Sequence, residues 1–173
     1  MADYKKLIPH ILKWEGGWAN DPADKGGPTM KGITLTTYKA YCKMKGKPVP
    51  TQTTLKNITQ EEWEDVFKTL YWDKWKADQI RSQSIANLVV DWTWGSGVYG
   101  IKYPQYVLGV TVDGVVGPRT IAAINNYPDS KVLFEKLWQR RKKHFEDIVK
   151  NNASQKKFLK GWLNRLNDLK YID

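Results

Sequence analysis

The sequence carries almost none of the side chains that cross-link a protein or bind a metal. Cys42 is the only cysteine in 173 residues, which excludes an intramolecular disulfide. Together with the two histidines, His10 and His144, it makes too thin a set for a metal site, and no metal or organic cofactor is expected. No apolar run is long enough to span a bilayer, which excludes stable membrane insertion. The opening Met1 to Lys6 lacks the apolar core and small-residue cleavage site of a signal peptide and reads as the start of a helix. Internal repeats and low-complexity linkers are absent as well.

What is present is positive charge and aromatic surface. The net charge of +10 and a pI near 9.5 favour a polyanionic partner: nucleic acid, an acidic membrane surface, or a wall bearing carboxylates and phosphates. Nine Trp and nine Tyr supply flat rings of the kind that stack on sugar faces, although most aromatic residues in any domain are core. With 41% hydrophobic residues the chain can build one good core, or two small modules sharing one.

Hydrophobic spacing is mostly helical. Tyr4, Leu7, Ile8, Ile11 and Leu12 form a stripe with Asp3 as the expected N-cap, and Pro9 requires either a bend or a regular helix that starts near it. Leu35 to Lys45 reads as a weak helix with Tyr38 and Tyr41 inward. Thr59-Gln60-Glu61-Glu62 is a capping box before the stripe Trp63, Val66, Phe67, Leu70 and Tyr71. Ser84 is the expected N-cap of a helix bearing Ile85, Leu88, Val89 and Trp92. Further helices are expected over 103–110, 120–125, 130–149 and 154–169.

Chemistry concentrates in Trp14-Glu15-Gly16-Gly17-Trp18 and the loop behind it. Glu15 falls where the first stripe calls for an apolar residue, with Gly16 and Gly17 available for a left-handed helix stop. Partial burial, the indoles of Trp14 and Trp18, and the negative end of the helix dipole all favour its protonated form, as a general acid requires. Asp21 and Asp24, on a Gly/Pro-rich loop, are expected to stay ionised. Two carboxyl groups in contrasting environments suit cleavage of a glycosidic bond, and Thr29 could hold a water. Taken singly, each piece has an ordinary reading: a helix stop, a turn former.

The run Glu15 to Thr34 reads Glu-Gly-Gly-Trp-Ala-Asn-Asp-Pro-Ala-Asp-Lys-Gly-Gly-Pro-Thr-Met-Lys-Gly-Ile-Thr, and it resembles the signature of glycoside hydrolase family 108. These are bacterial and phage lysozymes whose early members were labelled secretion activator proteins. The resemblance implies a lysozyme-like fold and an N-acetylmuramidase that cuts the β-1,4 link between N-acetylmuramic acid and N-acetylglucosamine, with Glu15 as catalytic acid. The family is also similar to the phage lysozymes, whose Glu, Asp, Thr order is matched by Glu15, Asp24 and Thr29; Asp21 is the second choice for the partner carboxylate. Met30-Lys31 departs from the Asn, Phe or Trp found beside the glycine in many relatives. By the same resemblance, Trp18, the Tyr71-Trp72 pair and the segment from Asp91 to Gly97 contribute to the substrate cleft. For Trp72 the alternative is core packing, and for Asp91 it is a structural ion pair.

From Ile101 onward the character changes. Val112-Asp113-Gly114-Val115-Val116-Gly117-Pro118-Arg119-Thr120 resembles a turn of small peptidoglycan-binding modules, and the closing Gln155 to Leu166 run also resembles the family. The expected architecture is mainly α and lysozyme-like: a catalytic module over 1–95 and a helical peptidoglycan-binding-type module over 96–173, packed as one compact unit. The basic C-terminal helices would capture an anionic wall. Nucleic acid is the rival partner, but no recognised nucleic-acid motif accompanies the charge. The alternative to an enzyme is a non-catalytic peptidoglycan-binding or secretion-accessory protein. A wall-cutting enzyme without a signal peptide is expected to be made in the bacterial cytoplasm and released by lysis, a holin or a secretion system.

Overall fold

The computed structural model describes residues 1–20 and 27–173. Among these residues the architecture is mainly α: nine α-helices, several short 3-10 or π turns, and one three-stranded antiparallel sheet. The chain divides into two compact units, Tyr4–Asp73 and a second made of Met1–Asp3 with Lys74–Asp173.

The first unit opens with a 3-10 turn, Tyr4–Lys6, and then helix α1, Ile8–Trp14. The regular helix starts beside Pro9, in the first turn, where a missing N–H costs nothing. Its N-cap is therefore Leu7 and not Asp3, whose backbone N–H is instead donated to Gln83 Oε1 at 2.8 Å in the second unit's own sequence. Leu7, Ile8 and Ile11 are buried, as their spacing requires.

At Glu15 the backbone turns extended, with φ −99° and ψ 141°, while the Glu15 N–H still reaches Ile11 O at 3.1 Å. No left-handed stop forms, since neither Gly16 nor Gly17 has positive φ. The chain leaves the helix straight into a strand, and the Gly17 carbonyl accepts from the Lys31 N–H at 3.2 Å. The sheet is β1 (Trp18–Ala19), β2 (Thr29–Met30) and β3 (Ile33–Thr34), in that order.

Met30 pairs with Ile33, so Lys31-Gly32 is a two-residue hairpin loop, and both residues have positive φ, 48° and 83°. That geometry favours Asn-Gly; a lysine in its first position is strained. Trp63 Nε1 holds the tip by donating to Lys31 O at 3.1 Å. Lys31→Asn is expected to raise stability by about 0.5 kcal/mol, read as a melting temperature higher by about 2 °C.

Thr34 ends β3 and caps α2 (Leu35–Met44), its hydroxyl accepting from the Thr37 N–H at 3.1 Å. Tyr38 and Tyr41 point inward, and their hydroxyls donate to Glu62 and Asp65. After α3 (Gln52–Lys56), α4 (Gln60–Phe67) is capped by Thr59. Its first-turn Glu62 serves Tyr38 instead of closing the capping box backwards.

The helix then widens into a π turn, Lys68–Trp72, closed by Asp73 N–H to Lys68 O at 2.8 Å. This turn shifts the phase of the stripe. Trp72 becomes fully enclosed, while Leu70 and Tyr71, which the helical spacing directs inward, are only half-buried.

In the second unit α5 (Gln83–Ser96) is capped by Ser82, whose hydroxyl accepts from the Ile85 N–H at 3.1 Å. Ser84, the expected cap, sits in the first turn instead and binds the chain's end: its hydroxyl accepts from the Ile172 N–H, and its N–H is donated to Asp173 Oδ1, both at 2.8 Å. Helix α6 (Tyr99–Leu108) packs tightly on α5, because a Cβ on Gly100 would meet Thr93 N at 2.3 Å.

The turn before α7 (Pro118–Asn125) is tied by the buried Gln105, whose Oε1 accepts from the Asp113 and Gly114 N–H groups while Nε2 donates to Val115 O at 3.0 Å. Helices α8 (Ser130–Asn151) and α9 (Lys156–Asn167) complete the unit. Within this unit α5 packs against α6 and α8.

Candidate active site

Helix α1 delivers Glu15 at its C-terminal end, half-buried and directly ahead of β1. The π turn of the same unit delivers Tyr71. Burial pushes the Tyr71 phenol up from its ordinary value, and the negative charge of Glu15 adds to the rise; a hydrogen bond with Thr37 opposes them. Tyr71 therefore keeps its proton at neutral pH and stands in the electrostatic field of Glu15 as an intact O–H.

Thr37 continues the polar path. The Thr34 hydroxyl donates to Thr37 Oγ1 at 2.9 Å. Thr34 is paired in register with Thr29, so the two side chains share one face of the sheet. Tyr71, Thr37 and Thr34 thus form a row of hydroxyls that leads to Thr29.

Sequence reasoning singled out Tyr71 and Thr29 but not the two threonines between them. The available signal was Thr-x-x-Thr at a helix start, where one threonine caps the other.

Trp18 is half-exposed on β1, paired with Met30, and carries the Lys56 ammonium over its ring at 5.8 Å from the centroid. Trp14, on the other side of Glu15, has Lys13 at 5.3 Å from its ring centroid. Asp21 and Asp24 lie outside the described residues.

Two expected substrate contacts have structural surroundings instead. Trp72 has no exposed surface and lies 6.4 Å from the Tyr4 ring, so it offers no face to a sugar. Asp91, in the second unit, is also fully buried. Its Oδ2 accepts from Arg141 NH1 at 2.8 Å and its Oδ1 from Arg165 NH2 at 2.7 Å. A carboxylate enclosed by two guanidinium groups is occupied as a structural ion. Among the described residues no group of His, Cys, Asp or Glu is arranged to hold a metal ion, and no helix is long and apolar enough to cross a membrane.

A mainly helical chain with a half-buried glutamate at a helix end, followed at once by a small antiparallel sheet, is lysozyme-like in class. The chain belongs to glycosyl hydrolase family 108: residues 8–97 match the family described as Glycosyl hydrolase 108. Residues 99–167 match a second family, described as Predicted Peptidoglycan domain. Among solved structures, SagA of Brucella abortus is similar over 96% of this chain and 90% of its own, with 29% identity and a TM-score of 0.79. No curated protein sequence matches the chain. A glycosyl hydrolase region followed by a peptidoglycan region assigns the protein to the hydrolysis or binding of peptidoglycan.

Proposed function

We propose that the protein is an N-acetylmuramidase, a lysozyme that hydrolyses the β-1,4 bond between N-acetylmuramic acid and N-acetylglucosamine. The observation that carries this reading is Glu15: a half-buried carboxyl group at the end of α1, with the Tyr71 hydroxyl in its field, inside the family motif. Glu15 protonates the leaving glycosidic oxygen as the C1–O bond breaks. Asp24, or Asp21 in its stead, offsets the positive charge that grows on the sugar ring, and Thr29 holds the incoming water. Water adds its oxygen to C1, and its proton restores the acid.

Tyr71 is the positioning residue. Removing its hydroxyl takes away the hydrogen bond with Thr37 and the O–H dipole that stands in the field of Glu15. Tyr71→Phe is therefore expected to slow wall clearing by at least about tenfold and to move the acid limb of the rate–pH profile, with the melting temperature nearly unchanged. Identical rates and profiles would reduce Tyr71 to packing.

The direct test of function is turbidity loss of purified bacterial cell walls, followed by mass analysis of the fragments. New reducing ends on N-acetylmuramic acid establish the muramidase. The match of residues 99–167 to a peptidoglycan family also favours a second reading, a wall-binding protein without turnover. Sedimentation with walls in the absence of any fragment release selects that reading.

A further inference from the structure

Helices α6 and α8 of the second unit leave an open groove between them, about 700 Å³ in volume. On the α6 side it is lined by Val107. On the α8 side the lining is a strip from Lys131 to Lys143, which at 1.5 Å per residue runs for about 18 Å. The strip recurs every four residues, so one face of α8 supplies it. Val132 lies in this strip with 44% of its surface exposed. The two valines begin an apolar floor, and the methylene stems of the lysines extend it.

The rim is basic. Lys131, Lys136, Arg140 and Lys143 stand against one carboxylate in the lining, Glu135, while Asp147 takes up part of the Lys143 charge at 3.2 Å. Two of these cations are positioned by tyrosines. Lys136 donates to the Tyr127 hydroxyl at 2.8 Å, with the ring centroid 5.6 Å away, and the Arg140 guanidinium lies 4.1 Å from the Tyr103 centroid. A ring or hydroxyl fixes a cation without cancelling its charge, so both are held ready for an anion. Arg140 NH1 has no hydrogen-bond partner within the protein. A stacked guanidinium with an unused donor suits phosphate, whose oxygens accept from its planar fork.

Floor and rim together select among anionic partners. A nucleic acid or another phosphate polymer would use the cations and leave the valines facing water. A partner helix docks through a row of apolar anchors at i, i+3, i+4 and i+7, for which two valines are too few. An anionic phospholipid presents both parts in one molecule: a phosphate for the rim and acyl methylenes for the floor.

We propose that the groove between α6 and α8 binds an anionic phospholipid and holds the protein at the surface of an acidic bilayer. The attachment is peripheral, since no helix among the described residues is long and apolar enough to cross a membrane. It involves no residue of the unit that carries Glu15, and it is independent of wall cleavage.

The test is cosedimentation of the full chain with vesicles of equal parts phosphatidylglycerol and phosphatidylcholine, against vesicles of phosphatidylcholine alone. Partition onto the acidic vesicles is expected to be at least about tenfold stronger, because each cation near an anionic surface contributes roughly fivefold. The chain is basic throughout, so variants test the groove itself. Val132→Ser removes apolar contact and no charge; it is expected to weaken partition by at least about threefold. Arg140→Gln is expected to weaken it by at least about fivefold, and Lys43→Gln, in the first unit, to leave it nearly unchanged. The exposure of Val132 keeps its variant folded, which the melting temperature checks. Equal partition onto both vesicle types, or partition indifferent to both Val132→Ser and Arg140→Gln, overturns the site. Glycerol phosphate or an acidic amphipathic peptide that displaces the vesicles at the lipid's own concentration also overturns it, in favour of a free phosphate or a protein partner.

Discussion

Glu15→Gln is expected to leave a folded protein that no longer clears cell walls, with turnover reduced by at least about a thousandfold. Glutamine keeps the size and hydrogen-bonding shape of the side chain but has no proton to give as the glycosidic oxygen leaves. The helix-ending bond survives the change, because it is made by the residue's N–H to Ile11 O. Melting temperature and wall sedimentation should therefore match wild type while fragment release stops. Asp24→Asn is expected to impair cleavage more than Asp21→Asn. A Glu15→Gln protein with wild-type turnover would falsify the assignment of the acid.

The largest stability effect is expected at Asp91. Asp91→Ala should cost about 3–5 kcal/mol and lower the melting temperature by roughly 10 °C or more. The reason is the charge that remains. Asp91 accepts from both Arg141 and Arg165, and Arg141 is enclosed with only 2% of its surface exposed. Burial alone pulls the Arg141 guanidinium below its ordinary value, and the Asp91 carboxylate is what opposes that pull. Without Asp91 one buried cation has no counter-charge. Arg165, at 17% exposure, can recover part of its hydration. Replacing the buried pair together, as Asp91→Leu with Arg141→Met, should therefore destabilise less than Asp91→Ala alone. Chemical denaturation of the three proteins reads the comparison directly.

Helix starts and stops were legible wherever a cap or a stripe lay within one turn of the residue it controls. Thr59 before α4 and Pro118 opening α7 are of this kind. The Glu15 motif was equally legible, being contiguous in the chain. Errors arose where a nearby alternative existed: Ser82 caps α5 because Ser84 is engaged by Ile172 and Asp173, residues 88 and 89 positions away.

The π turn is a similar case. The side-chain pattern of Lys68–Trp72 is compatible with a continued α-helix, and only the packing around Trp72 decides that this ring is enclosed while Tyr71 remains beside Glu15. The sequence by itself determined the helical class, the motif around Glu15 and the caps of several helices, because these depend on hydrogen bonds and periodicities within a few residues. Tertiary structure alone decided the partners of Asp91, 50 and 74 positions distant, the hydroxyl row from Tyr71 to Thr34, and the groove between α6 and α8. A buried charge or hydroxyl must find a partner, but its own sequence neighbourhood carries no record of which distant one the packing supplies.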